Sequence, residues 1–341
     1  MQMSKKQLVI ATVEHQHTPT APYAMDLTLG QLDKMMAYYG CDAAEVFRKI
    51  DSCLIAVDFT ASAHEIPGRP GFFRDDWGVV WNRSGPDRDI GVVENQVLPE
   101  PSLEGLVFPE IDVAGARKKI QDMLDKHGDK FTMVDFGFSM FERCWTLRGL
   151  EDCLADMAGE PEFIEELMDA ICDWTLKYMD AILDMPFDCV FFGDDWGQQK
   201  GLIMGPGLWR RFIKPRMARL YARAKQAGKY VVQHSCGDIS DIFPDLIEIG
   251  LNVYQTFQPE IYDIEKMKAL YGDKLTFFGA ISTQTLLPYA TPQEVRSECA
   301  RITGILSRNG GYIIAPTHAV PHDVPAENIA AMIDFYHQQG N

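Results

Sequence analysis

The stretch Tyr230-Val-Val-Gln-His234-Ser-Cys236-Gly237 decides how the rest of the chain is read. Tyr230–Gln233 has the β-branched and aromatic character of a buried strand, and at its end the text turns abruptly to His, Ser and Cys. Ile239 to Ile249 then reads as a helix closed by Gly250, and Val253–Phe257 as the next strand. The unit repeats in both directions. Downstream come a helix Asp263–Tyr271 ending at Gly272, a strand Leu275–Gly279, a helix opened by Thr291-Pro292 and running to about Arg308, a strand Gly311–Ala315 and a helix Ala326–His337. Upstream lie a helix Pro206–Ala227, a strand Cys189–Gly193, a helix Pro161–Leu183 and a strand Phe131–Gly137.

Strands joined to helices by short connections imply a parallel sheet with crossovers. Six strands lie beyond residue 130; Cys53–Asp58 and the weaker Pro22–Met25 bring the count to eight, the number that closes a barrel. The expected architecture is α/β, a (β/α)8 TIM-type barrel spanning 1–341 as a single domain. A doubly wound open sheet would want a Gly-rich phosphate fingerprint after an early strand, and none is present. Residues 60–112 break the rhythm with dense Pro, Gly and charge, and Asp75–Trp81 reads as a small hairpin. This N-terminal excursion, poor in core residues, is expected to cover the barrel mouth.

Composition narrows the function. Of 341 residues, 46% are hydrophobic and the net charge is −17, which disfavours nucleic acid and anionic membrane as partners. The N-terminal Leu8-Val9-Ile10 is too short for a signal core, and no run approaches the ~18 apolar residues of a membrane span. Eight cysteines are scattered without CxxC spacing, which reads as reduced, mostly buried thiols of a cytoplasmic protein.

A barrel keeps its site at the C-terminal ends of its strands. Those ends carry Asp58, Asp135, Asp194-Asp195, His234 with Cys236, Gln258 with Glu260, Ser282 and Thr317-His318. Imidazole and thiolate two residues apart suit Zn²⁺; a core Cys beside a substrate-binding His is the other reading. His318, with His322 in reserve, is the candidate third ligand, and a carboxylate or an open position the fourth. Of Asp194 and Asp195, the catalytic candidates, the alternation of side chains lets only one enter the mouth, the other serving as a cap or turn residue. Asp135, Trp196, Gln199, Tyr254 and Gln258 are the candidate substrate contacts. Trp77 and Trp196 are placed to meet a flat aromatic ligand, while Trp81, Trp145 and Trp209 read as packing. His15 and His17 read as exposed, and Arg210, Arg211, Lys214 and Arg216 as a solvated helix face.

His234-Ser-Cys-Gly-Asp-Ile-Ser-Asp-Ile-Phe-Pro-Asp-Leu-Ile-Glu-Ile-Gly250, and Gly310-Gly-Tyr-Ile-Ile-Ala-Pro-Thr-His-Ala319 with Pro325–Ile329, resemble the uroporphyrinogen decarboxylase superfamily. The resemblance covers roughly residues 130 to 340 and implies the same barrel. Decarboxylases of this kind carry an N-terminal Arg-Gln-Ala-Gly-Arg segment that grips substrate carboxylates, whereas His15–Tyr23 holds no Arg. The other branch, the cobalamin-dependent methyltransferases, binds Zn²⁺ through His-x-Cys and a later Cys. Here His234 and Cys236 match, and Pro316-Thr-His318 stands where the later Cys would fall; decarboxylases carry a substrate-contacting His at that place. Gly193-Asp-Asp-Trp-Gly-Gln-Gln-Lys-Gly201 is similar to members that remove methyl groups from methoxylated compounds.

The resemblance implies an O-demethylase-type methyltransferase, Zn-assisted, passing methyl from an O-methyl donor to Co(I) of a cobalamin on a separate corrinoid protein. No corrinoid-binding Asp-x-His-x-x-Gly occurs in this chain. A methyl-corrinoid:thiol methyltransferase, a metal-free lyase and a non-catalytic partner protein are the alternatives. A homodimer is the assembly carried as an expectation.

Overall fold

The computed structural model describes residues 3–59, 62–85 and 89–339. Residues 60, 61 and 86–88 of the excursion, and the four terminal residues 1, 2, 340 and 341, lie outside the described set.

Seven strands pair in parallel in sequence order: Leu54–Asp58, Phe131–Phe136, Cys189–Gly193, Tyr230–His234, Val253–Phe257, Thr276–Ile281 and Tyr312–Pro316. The gap between the last and the first is bridged by Pro22–Ala24. Ala24 N–H donates to Ile314 O (2.9 Å) and Cys53 N–H to Tyr23 O (2.8 Å), so this segment touches both edges. Pro22 has no N–H to add to the ladder, which helps keep the eighth member a bridge rather than a full strand. The α/β barrel expected from the strand count is the observed fold.

Register sets the site. Asp58 lies level with Asp135, and His234 is level with Gly193 on one side and Gln255 on the other. Side chains just past these positions therefore share one end of the barrel. The helix Lys5–Val13, opened by a Ser4–Gln7 capping box, packs at the other end: Lys6 N–H donates to Asp129 O and Gly311 N–H to Thr12 O.

Helix boundaries follow local chemistry. Thr291 and Glu294 cap each other ahead of Pro292–Leu306, and Asp263 caps Ile264–Tyr271. Pro161–Asp180 stops short of Leu183, with Pro186 close behind. Expected as one helix, 206–227 is interrupted by a π-turn at Trp209–Ile213, because Pro215 has no N–H for Arg211 O and its ring crowds that carbonyl. Arg216 is not solvated as expected; its guanidinium is buried against Asp169, Phe212 O and Glu165 O. Among the described residues no helix is long and apolar enough to cross a membrane.

The excursion forms a four-stranded antiparallel sheet: Ala63–Glu65, Phe72–Asp75, Val80–Asn82 and Val92–Val93. Contrary to expectation it has a core, with Trp77, Val79, Trp81 and Leu98 buried. Trp77 is no ligand platform, since its ring packs edge-on against Trp174 (4.9 Å) and Phe108 (5.4 Å). Asp75 organises the sheet by accepting from Trp77 N, Val79 N and Trp81 Nε1, and it meets the buried Arg143 at 3.4 Å. That pair pins the sheet to the helix Phe141–Arg148, which follows the second barrel strand.

Candidate functional site

The four residues His234-Ser235-Cys236-Gly237 divide into two pairs. Ser235 and Gly237 serve the scaffold. Ser235 is fully buried, its N–H donates to Gln255 O (2.7 Å), and its Oγ accepts from Trp196 N (2.9 Å). Gly237 has φ +79°, and a Cβ there would sit 2.2 Å from Gly197 C; one on Gly197 would sit 2.6 Å from Cys236 O. Gly197 and Gly237 are thus needed for one reason: their two backbones cross in contact. Tyr262 Oη donates to Gly237 O (2.7 Å), Gln258 Oε1 accepts from Gly237 N (2.9 Å) and Tyr254 Oη donates to Ser235 O (2.9 Å).

His234 and Cys236 point the other way, toward the mouth. His234 Nδ1–H donates to Gln255 Oε1, which leaves Nε2 with its lone pair free to face Cys236 Sγ at 3.6 Å. The rings of His234 and His318 stand 5.6 Å apart. One donor atom from each of His234, Cys236 and His318 lies within 4.8 Å of the others, a group that could hold a metal ion among the described residues. Donors around a tetrahedral Zn²⁺ stand about 3.5 Å apart, so the His234–Cys236 spacing already fits and His318 needs a small rotation. Two imidazoles and a thiol suit Zn²⁺ better than a hard cation. His322 is not part of the group.

The electrostatics match a cation. Burial alone would lower the His234 pKa, yet Asp195 and Cys236 facing Nε2 take it well above the usual imidazole range. Burial would likewise raise Asp195, but the His234 ring and the Cys236 N–H hold it below the usual carboxylate range. Asp195 Oδ1 accepts from Cys236 N (2.7 Å) and lies 3.4 Å from His234 Nε2. Burial lowers the His318 pKa, and the His234 charge lowers it further.

The other expected residues scatter. Asp194 is turned into the protein: Oδ1 accepts from Glu142 N (2.7 Å) and Met140 N (3.3 Å), and Oδ2 from Phe141 N (2.9 Å) and the Trp196 ring. It caps the helix Phe141–Arg148, and burial raises its pKa against those bonds. Its placement as an acid open to the mouth is corrected, the orphan N–H groups of a helix start being the stronger claim on its oxygens. Trp196 and Tyr254 are fully buried and Gln258 nearly so, so these three support the loops instead of meeting a ligand. Gln199 is exposed in the tight turn between Gly197–Gln198 and Gly201–Leu202. Asp135 does face the barrel interior; one of its oxygens is buried without a partner, and burial and then Asp58 raise its pKa well above the usual range.

Glu142 was missed. Its N–H reaches Asp194, and its carboxyl feels Asp195, Asp194 and His234, so it borders the cluster from the helix side. It sits in Phe-Glu-Arg-Cys-Trp145, where helical amphipathicity hides it; only its distance of six residues past the strand end could have flagged it.

A family profile described as uroporphyrinogen decarboxylase (URO-D) matches residues 92–339. Curated relatives include a uroporphyrinogen decarboxylase of Psychromonas ingrahamii, 24% identical over 52% of this chain and 49% of the relative. Another, of Methylococcus capsulatus, is 22% identical over 69% of this chain and 67% of the relative. The chain therefore spans about half the length of the first of these. Among solved structures, a methyltransferase from Methanosarcina mazei superposes with a TM-score of 0.74 over 98% of this chain and 99% of that one, at 16% identity. At that identity the likeness speaks for the fold alone.

Proposed function

Because the chain belongs to the uroporphyrinogen decarboxylase family, we propose that it is a methyltransferase of that family, taking methyl from an O-methyl donor, a methoxylated aromatic above all, and passing it to Co(I) of a cobalamin on a separate corrinoid protein. The observation that carries the reading is the convergence of His234, Cys236 and His318 from the ends of two strands far apart in sequence. A decarboxylase site has no need of a thiol set beside two imidazoles.

The mouth also speaks against a polyacidic substrate. His15 and Gln16 lie at the opposite end of the barrel, against Gly310, so the absence of Arg from that segment bears less on the mouth than its sequence position suggested. The residues that follow Pro22–Met25 at the mouth are Asp26, Leu27 and Thr28, tied to Val320, and they include no Arg either. None of these three would hold a carboxylate arm of a tetrapyrrole, and a net charge of −17 would repel a polyacid.

His234 Nε2, Cys236 Sγ and His318 would hold Zn²⁺, which would supply a Lewis acid for the leaving oxygen. Gln255 fixes the His234 tautomer, and Asp195 holds the Cys236 backbone while balancing charge beside His234. Asp135 lines the interior, at a strand end level with Asp58, as a group able to contact substrate.

Metal analysis of purified protein, with methyl transfer to Co(I)alamin from methoxy-aromatics and simpler donors, tests this. About one Zn²⁺ per chain is expected, lost in His234→Ala and Cys236→Ala and kept in His318→Cys. Substoichiometric metal with both alanine variants fully active would sink the reading. Methyl transfer from methylcobalamin to a thiol, and from no ether, would reverse its direction.

A further inference from the structure

A cleft of about 670 Å³ opens between the Val92–Val93 strand of the excursion sheet and the helix Phe141–Arg148. That volume is typical of small-molecule sites. Its walls are Trp81, Phe138 and Trp145, arranged edge to face (5.3 Å and 6.4 Å between successive rings), with Val92 and Leu150 at the rim. Glu142 is also in the lining, and it is the residue that borders the His234–Cys236–His318 group. Glu142 joins the cleft wall to that neighbourhood through its N–H, which donates to Asp194 beside Asp195.

We propose that this cleft seats the ring of the methyl donor, an uncharged methoxyarene, with Glu142 at its inner end in reach of the ether oxygen. The ligand's identity as an O-methyl compound rests on the methyl-transfer reading; the cleft's preference for a flat neutral ring does not. Trp81, Phe138 and Trp145 offer the edge and face contacts that aromatic pairs favour. Among the described residues no Lys or Arg lines the cleft, while Glu94 and Glu142 do, so a benzoate would meet two carboxylates there. The placement also accounts for the excursion sheet: it supplies one wall, and the Asp75–Arg143 pair fixes its distance from the other.

Calorimetric titration with 2-methoxyphenol and with 4-hydroxy-3-methoxybenzoate on the purified full chain tests the proposal. Binding of 2-methoxyphenol is expected, with the benzoate weaker by about tenfold or more. Val92→Trp, which fills the cleft from a position 67% exposed, is expected to weaken 2-methoxyphenol by about tenfold without changing bound metal or Tm. Leu150→Trp does the same from the opposite rim should the first variant fold poorly. Equal affinity in wild type and both rim variants, no binding to wild type at millimolar ligand, or preference for the benzoate overturns the proposal. Rim-dependent binding with no methyl transfer from any ether would sink the methyl-transfer reading and leave the cleft standing; transfer from 2-methoxyphenol undiminished in Val92→Trp would sink the cleft alone.

Discussion

Two arcs of the barrel mouth are built on opposite principles. In the arc formed by Gly193–Gly197 and His234–Gly237, the buried polar groups are tied down: Asp194 to three backbone N–H groups and an indole, Ser235 to Trp196 and Gln255, and Gly237 to Gln258 and Tyr262. In the arc at the ends of Leu54–Asp58 and Phe131–Phe136, Asp58 is exposed and Asp135 keeps a buried oxygen without a hydrogen-bond partner. The first arc holds His234 and Cys236 to a fixed spacing, as metal donors require. In the second, one Asp135 oxygen keeps its acceptor capacity, as a wall that meets a changing ligand requires. Rigidity is concentrated where donor geometry matters.

The contrast can be broken most directly at Gly237. Gly237→Ala puts a methyl group into Gly197's backbone at a left-handed φ, and neither strand end can retreat. A loss of more than about 4 kcal/mol, or failure to fold, is expected in urea denaturation; a near-native midpoint would mean the backbone crossing is not rigid. Next, Asp194→Ala strands buried N–H groups of Met140, Phe141 and Glu142 together with the Trp196 indole, at a cost of about 3 kcal/mol. Asp194→Asn should recover part of this. If either variant loses methyl transfer while keeping full stability, the assignment of Asp194 to the scaffold is wrong.

On the open arc the sign reverses. Asp135 binds its proton more tightly folded than unfolded, so wild-type stability is greatest below the unfolded pKa, about 3.9, and falls as pH rises through the raised folded value. Asp135→Asn removes that loss. Its Tm should therefore overtake wild type as pH rises from 4 and keep a constant lead once the folded pKa is passed. A lead that shrinks with pH would show an ionised, partnered Asp135. The smallest effect belongs to Gln199→Ala, in an exposed turn: within about 0.5 kcal/mol, with no change in bound metal. A marked rise in KM for the methyl donor would return Gln199 to the site.

How far the sequence could be read depended on how local the physics was. Strand limits at Cys189–Gly193 and Val253–Phe257 were legible because a buried parallel strand is a short apolar run bounded by polar residues. The cap at Thr291 was legible for the same reason, its partner Glu294 lying within a turn. His234 and Cys236 stood out because residue type and spacing are both local. Trp196, Tyr254 and Gln258 were misplaced because a polar or aromatic residue past a strand end can face the ligand or the next loop, and which of these happens depends on a partner some twenty to forty residues away.

By itself the sequence determined a (β/α) barrel, the end at which its polar groups gather, and two of the three members of its metal-binding candidate, since periodicity and motif spacing act over a few residues. Only the tertiary structure decided that Asp195 and not Asp194 turns to His234, that His318 closes the group, and that Glu142 stands behind it. Each of those outcomes rests on contacts between segments about 40 to 85 residues apart, brought together by barrel closure and fixed by the need of buried polar groups for partners.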